Sequence, residues 1–213
     1  MSAEIVVFGR EPVPGRVKTR LARAIGAEAA AAVYAVLLRH TLDESLGTGL
    51  PVTLALAEPP SAAYHAPGGV RLETQAPGSL GERMAGAFAD RFAAGATTVA
   101  LVGSDVPRLV RHHLLEAIAA CVRVPVALGP SLDGGYWLVA QRAPGVDLFT
   151  GVPWSAPGTL AATRAALRSY GVAWQELEEL DDLDTAADLA RALGNPGLGP
   201  ALERAMRHSP SRR

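Results

Sequence analysis

Two stretches of this chain combine residue types that handle phosphate and hard cations. The first is Gly9-Arg10-Glu11-Pro12-Val13-Pro14-Gly15-Arg16-Val17-Lys18-Thr19-Arg20-Leu21. Gly15 can take backbone angles closed to other residues. Arg16, Lys18 and Arg20 surround the expected start of a helix, where free N–H groups attract anions. Three cations on such a corner suit a polyphosphate. The alternative is a basic corner that simply faces water. The loop lacks the G-x-x-x-x-G-K-[ST] pattern of a P-loop and the G-x-G-x-x-G pattern of a dinucleotide site. Lys18 is the only lysine, every other basic residue being arginine. Either the composition leaves one lysine by chance, or position 18 needs a compact ammonium rather than a forked guanidinium.

The second stretch is Gly103-Ser104-Asp105-Val106-Pro107. A carboxylate just past a buried strand is well placed for a hard cation such as Mg²⁺ or Mn²⁺. The competing reading is that Asp105 caps the next helix. If the strands ending at Phe8 and Val102 are neighbours, metal and basic loop would clamp one polyphosphate. Three further places are weighed. Asp133-Gly134-Gly135-Tyr136 permits close approach of a ligand, or is a tight turn. Trp154-Ser155 in a Pro/Gly-rich loop could touch a substrate, or Trp154 could close the core. The acidic run Asp181-Asp182-Leu183-Asp184-Thr185 is mostly explained by capping, with Asp184 or Thr185 at a helix start and Asp188 in its first turn. Asp182 or Asp184 could still help hold the metal.

The elements that must position these residues follow from the pattern. Short apolar runs at 5–8, 50–57, 70–72, 97–102, 122–128, 136–140 and 172–177 read as strands. Helices are expected from Thr19 with a break at Gly26 and then through Leu46, and over 79–92, 108–120, 158–170 and 185–193. Strands alternating with helices predict an α/β fold of three layers, α/β/α, with a mixed, mostly parallel sheet. The strand–loop–strand near 122–140 departs from strict alternation and predicts an antiparallel insertion. One nucleotide-binding domain is expected over residues 1–194. Residues 195–213, rich in Gly, Pro, Ser and Arg, are expected to be partly flexible.

Composition narrows the function. The chain has 213 residues, 49% hydrophobic and 19% charged, enough for a core and too apolar for general disorder. Twenty basic residues stand against 21 acidic ones, so no overall charge favours nucleic acid or an acidic membrane surface. Cys121 is the only cysteine; it reads as a small buried filler and cannot build a thiolate metal site. The histidines lack ligand spacing, and Ser155 lacks a nucleophile-elbow setting. No basic leader segment and no run of 18 apolar residues is present, so a cytoplasmic setting is expected.

Six segments, in this order, resemble a known family. They are Pro12-x-Pro14-Gly15-Arg16-Val17-Lys18-Thr19-Arg20-Leu21, Leu80-Gly81-Glu82-Arg83-Met84, Gly103-Ser104-Asp105-Val106-Pro107, Gly129-Pro130-Ser131-Leu132-Asp133-Gly134-Gly135-Tyr136, Val152-Pro153-Trp154-Ser155 and Asp182-Leu183-Asp184-Thr185-x-x-Asp188-Leu189. The resemblance is to bacterial glycosyltransferase A-like transferases associated with radical-SAM and selenoprotein-domain genes, and covers about residues 5–192. One departure is Arg10, where the family pattern carries lysine, so the charge is kept. The resemblance implies the nucleotide-diphospho-sugar transferase fold. It implies a metal at Asp105, with Asp182 or Asp184 as a second contact. Arg10, Gly15, Arg16, Lys18, Arg20 and Arg83 would bind the nucleotide and its phosphates, with Lys18 and Asp105 catalytic. Asp133, Gly134, Gly135, Tyr136, Trp154 and Ser155 would lie near the donor or acceptor. The Asp-x-Pro form at Asp105 looks more like the molybdenum-cofactor and phospholactate guanylyltransferases than like a glycosyltransferase Asp-x-Asp.

The expected function is therefore a Mg²⁺- or Mn²⁺-dependent transferase with a nucleotide donor and a small-molecule acceptor. Nucleotidyl transfer from a nucleoside triphosphate to a phosphorylated molecule is favoured, because the loop is more cationic than a diphosphate needs. Glycosyl transfer from a nucleotide sugar is the first alternative. A non-catalytic nucleotide-binding protein is the second.

Overall fold

The structure is a computed structural model that describes residues 2–154 and 158–208. Seven strands form one sheet: β1 (Ala3–Gly9), β2 (Val52–Leu56), β3 (Val70–Thr74), β4 (Thr98–Gly103), β5 (Val126–Pro130), β6 (Tyr136–Arg142) and β7 (Trp174–Glu176). The order across the sheet is β3-β2-β1-β4-β6-β5-β7. Only β6 runs against its neighbours, as the strand–loop–strand pattern predicts.

The helices are α1 (Thr19–Ile25), α2 (Ala27–Leu46), α3 (Leu80–Ala93), α4 (Arg111–Arg123), α5 (Thr159–Ser169), α6 (Ala186–Leu193) and α7 (Gly199–His208). Alternation along the strands sends side chains to two faces. Ile5, Val7, Leu54, Ala100 and Val102 pack against α2 and α4, with Cys121 buried among them. Val6, Ala55, Val99, Leu101 and Val139 pack against α3 and α5. The result is the expected three-layer sandwich.

Three boundaries differ from the sequence reading. Helix α4 starts at Arg111, after a turn in which Leu109 is buried, so Asp105 does not cap it; Val110 occupies the N-cap position. The same helix runs on to Arg123 because Ala120 and Cys121 continue its buried face. Pro125 then forces Val124 into extended backbone and ends it. The third difference is α7, which occupies much of the segment expected to be partly flexible. Leu198 and Leu202 are buried there with Leu21, Val33 and Leu37 of α1 and α2. The extreme end, 209–213, lies outside the described residues.

Strands β1 and β4 are parallel neighbours, with Phe8 opposite Gly103. The two chemistry-bearing loops therefore leave adjacent strand ends on the same edge, where open α/β sheets bind ligands. The β5–β6 turn opens on that edge too, since Pro130 pairs with Tyr136. A register shift there leaves Trp137 bulged. Its ring lies over Gly129, where a Cβ would collide with it.

Candidate active site

The basic loop is fixed from several sides. The backbone N–H of Arg10 donates to the Tyr34 hydroxyl at 2.9 Å, and that hydroxyl shares a 2.8 Å hydrogen bond with Ser104 Oγ. Tyr34 thus ties the loop after β1 to the loop after β4. Farther on, Gly15 at φ 79° completes a turn in which Arg16 N–H donates to Val13 C=O. Glu11 accepts from both the N–H and the hydroxyl of Ser61, fastening the loop to the segment after β2. Val17 plunges into the core, 4% exposed, and turns the chain so that Lys18 enters from the cleft side.

Lys18 precedes α1 with φ 45° and ψ 48°, the one non-glycine residue at positive φ among the described residues. Its Nζ donates to Asp105 Oδ2 at 2.8 Å and to Asp184 Oδ1 at 2.7 Å, and its side chain is only 5% exposed. Burial alone would lower its pKa; the two carboxylates outweigh burial and hold it above the ordinary lysine value. Arg20 reaches the other oxygen of Asp184 at 3.5 Å.

The acidic segment is laid along the sheet edge by backbone bonds. Leu180 N–H donates to Pro130 C=O, and Leu183 N–H to Asp105 C=O. Trp137 Nε1 donates to Glu178 C=O and supports the same segment. Thr185 caps α6 in a reciprocal capping box with Asp188, as the sequence reading proposed for that part of the run. Asp182 Oδ2 accepts from Ser131 Oγ at 3.3 Å, whereas its Oδ1 is buried without a hydrogen-bond partner among the described residues. Burial, then the nearby charges of Asp105 and Asp133, push the Asp182 carboxyl up to about 8.

Among the described residues no three of His, Cys, Asp and Glu are gathered into a metal cage. Mg²⁺ or Mn²⁺ carried by a polyphosphate needs only one or two carboxylates and takes its other oxygens from phosphate and water. Asp105 and Asp184, both in contact with the Lys18 ammonium, could offer carboxylate oxygens to such an ion. The residues fit such an ion.

Asp105 and Asp184 border a cleft of about 680 Å³, whereas Asp182 lines a separate pocket with Asp181 and Asp188. Arg10, Arg16, Lys18, Arg20, Arg83 and Asp105 all line the cleft. Glu58 offers Arg10 and Arg16 only loose pairing, at 3.9 and 3.6 Å. Arg83 donates to Gln75 Oε1 at 2.7 Å, and its buried Nε has no partner among the described residues. Burial and then the charge of Arg10 lower the pKa of Arg83; an anion in the cleft would relieve both arginines.

The remaining sequence candidates do not line this cleft. Asp133 closes its own turn, accepting from Gly135 N–H at 2.9 Å. Gly134, at φ 86°, gives its carbonyl to Leu160 N–H. The ring of Tyr136 lies edge-on to Trp154. Trp154 covers Gly81, where a Cβ would strike the indole, and donates to Phe149 C=O at 3.3 Å. Ser155 lies outside the described residues. Conversely, Tyr34, Ser104 and Gln75 line the cleft without having been singled out. Ser104 had a signal, its place beside Asp105; Tyr34 sits in an alanine-rich helix that offered none.

A family described as an uncharacterized protein conserved in bacteria (DUF2064) matches residues 42–156, just over half of the chain. The chain belongs to that family. The DUF2064 match begins late in α2 and includes Arg83, Asp105 and the turn at Asp133. Among solved structures, the chain is similar to a protein of Desulfovibrio desulfuricans G20 whose name assigns it as a nucleotide-diphospho-sugar transferase. Identity is 27%, coverage is 98% of this chain and 99% of that one, and the TM-score is 0.87. It also shares its fold with the inositol-1-phosphate CTP transferase of T. maritima, at 11% identity, 98% coverage of both chains and a TM-score of 0.55. A third neighbour is Rv0371c of Mycobacterium tuberculosis H37Rv, solved in complex with manganese. It is 22% identical, with 92% of this chain and 100% of that chain covered, and a TM-score of 0.50. No curated protein matches. The DUF2064 chain thus has the nucleotide-diphospho-sugar transferase fold. No helix among its described residues is long and apolar enough to cross a membrane.

Proposed function

We propose that the protein is a divalent-metal-dependent transferase that uses a nucleotide donor, and that it transfers a nucleotidyl group from a nucleoside triphosphate to a phosphorylated small molecule. The observation that carries the reading is the cleft itself. Four arginines, Arg10, Arg16, Arg20 and Arg83, border the same space as Asp105 and Asp184. That excess of positive charge suits three phosphates better than two. A bound Mg²⁺ or Mn²⁺ would offset phosphate charge as a Lewis acid, held by Asp105 with Asp184 or Asp182.

The chain's own residues account for the rest. An oxygen of the acceptor phosphate attacks the α-phosphorus, and the bond from that phosphorus to the β-phosphate oxygen breaks. Pyrophosphate leaves with the electron pair. Arg16 and Arg20 offset the charge that builds on it, and Arg83, held to Gln75 in the cleft lining, anchors the donor. No protein nucleophile takes part. The loop tethers at Tyr34 and Ser61 hold these cations in place before the substrate arrives, which lowers the reorganisation the reaction needs.

Glycosyl transfer from a nucleotide sugar is the second reading, favoured by the name of the Desulfovibrio neighbour. The same cleft would then retain a nucleoside diphosphate leaving group. Thermal-shift measurements with nucleoside triphosphates and nucleotide sugars, with and without Mg²⁺ or Mn²⁺, identify the donor. Release of pyrophosphate with an acceptor present supports nucleotidyl transfer. Release of a nucleoside diphosphate from a nucleotide sugar, with none of the triphosphates turned over, overturns it.

A further inference from the structure

The ammonium of the only lysine is not free to meet a ligand. It sits between Asp105 and Asp184 at 2.8 and 2.7 Å, with a side chain 5% exposed. The backbones that carry the two carboxylates are held from behind. Asp105 C=O accepts from Leu183 N–H, and Asp184 N–H donates to Asp188 Oδ2 at 3.0 Å. The movable member of the trio is Lys18, on its flexible four-carbon stem. Its left-handed backbone is one that a non-glycine residue keeps only where the surroundings impose it, and such strain clusters at sites that switch or clamp.

We propose that Lys18 is a resident counter-cation. In the free protein its ammonium satisfies the Asp105–Asp184 pair, so that a divalent ion is admitted only together with a polyphosphate, to which the ammonium transfers. The inference rests on the metal-and-nucleotide reading of this cleft. An ammonium and a divalent ion in contact with the same two carboxylates repel each other. A polyphosphate removes the conflict from both sides. It gives the ammonium charge-assisted hydrogen bonds of its own, and it gives the ion oxygen ligands. Ion and polyphosphate therefore raise each other's affinity, by the same factor in each direction.

The test is a Mn²⁺ titration of the nucleotide-free protein, with unbound ion counted by electron paramagnetic resonance. Lys18→Met keeps the length and removes the charge. It is expected to bind Mn²⁺ roughly tenfold more tightly than wild type, or better, and adding Asp105→Asn is expected to abolish the gain. Equal affinity in wild type and Lys18→Met overturns the proposal. Should Lys18→Met fail to fold, wild-type protein labelled with [¹⁵N]lysine decides, because a single lysine gives a single ammonium resonance. Mg²⁺ alone is expected to leave that resonance in place, and Mg²⁺ with inorganic tripolyphosphate to shift it. A shift with Mg²⁺ alone, or no shift in either sample, overturns the proposal. Nucleotides that fail to stabilise wild type while Lys18→Met still gains Mn²⁺ would sink the transferase reading and leave the counter-cation role standing.

Discussion

Tyr34 of α2 and Ser104, 70 residues apart, share a 2.8 Å buried hydrogen bond that ties α2 to the loop after β4. The same hydroxyl takes the N–H of Arg10. Tyr34→Phe keeps the ring and strands both partners, at a cost of about 1–3 kcal/mol. In a chain of this size the melting temperature should fall by roughly 2–4 °C per kcal/mol. Nucleotide affinity should fall as well, because the cationic loop loses a tether. An unchanged melting curve would show that water replaces the hydroxyl at no cost.

Asp105→Asn should separate chemistry from folding. Turnover should drop by roughly 100-fold or more, and metal-dependent stabilisation by nucleotide should disappear. Full activity in this variant would remove Asp105 from the metal role.

Arg83 is held to Gln75 and, among the described residues, has no carboxylate partner within salt-bridge distance. Arg83→Met should therefore weaken donor binding by roughly tenfold or more, the worth of a hydrogen bond to a charged group. The melting temperature without ligand should barely move. Equal donor affinity in both proteins would place Arg83 outside the binding face.

Asp182 gives a pH signature in metal-free protein. Its folded-state pKa, near 8, lies above the ordinary carboxylate range. The folded protein then keeps a proton that the unfolded chain has released. Stability from this group is full in acid and is lost as pH rises toward 8. Asp182→Asn should flatten that decline and raise the melting temperature at pH 8 relative to wild type. Parallel melting-temperature profiles for the two proteins would contradict the assignment.

Much of the architecture was legible in local pattern. The seven apolar runs, the helix break at Gly26 and the reversal at β6 each follow from the spacing of a few residues. The site was legible in part. Glycine and proline marked the basic loop, and the strand before Asp105 marked its edge. The pairing of Lys18 with Asp184 was not, because 166 residues separate them and only the finished sheet brings them together. Helix α7 was obscured by composition. Gly199 and Pro200 at its start, and Asn195-Pro196-Gly197 before it, read as loop, although Leu198, Leu202 and Met206 recur four apart.

That last helix has a consequence for handling the protein. Leu202 and Leu198 share one buried cluster with Leu21, three residues beyond Lys18. Clipping the chain after residue 194, or fusing a bulky partner tightly against α7, would loosen the seat of α1. The damage would surface at the opposite end of the sequence, as a slackened grip on phosphate. An affinity handle at this end therefore belongs on a spacer.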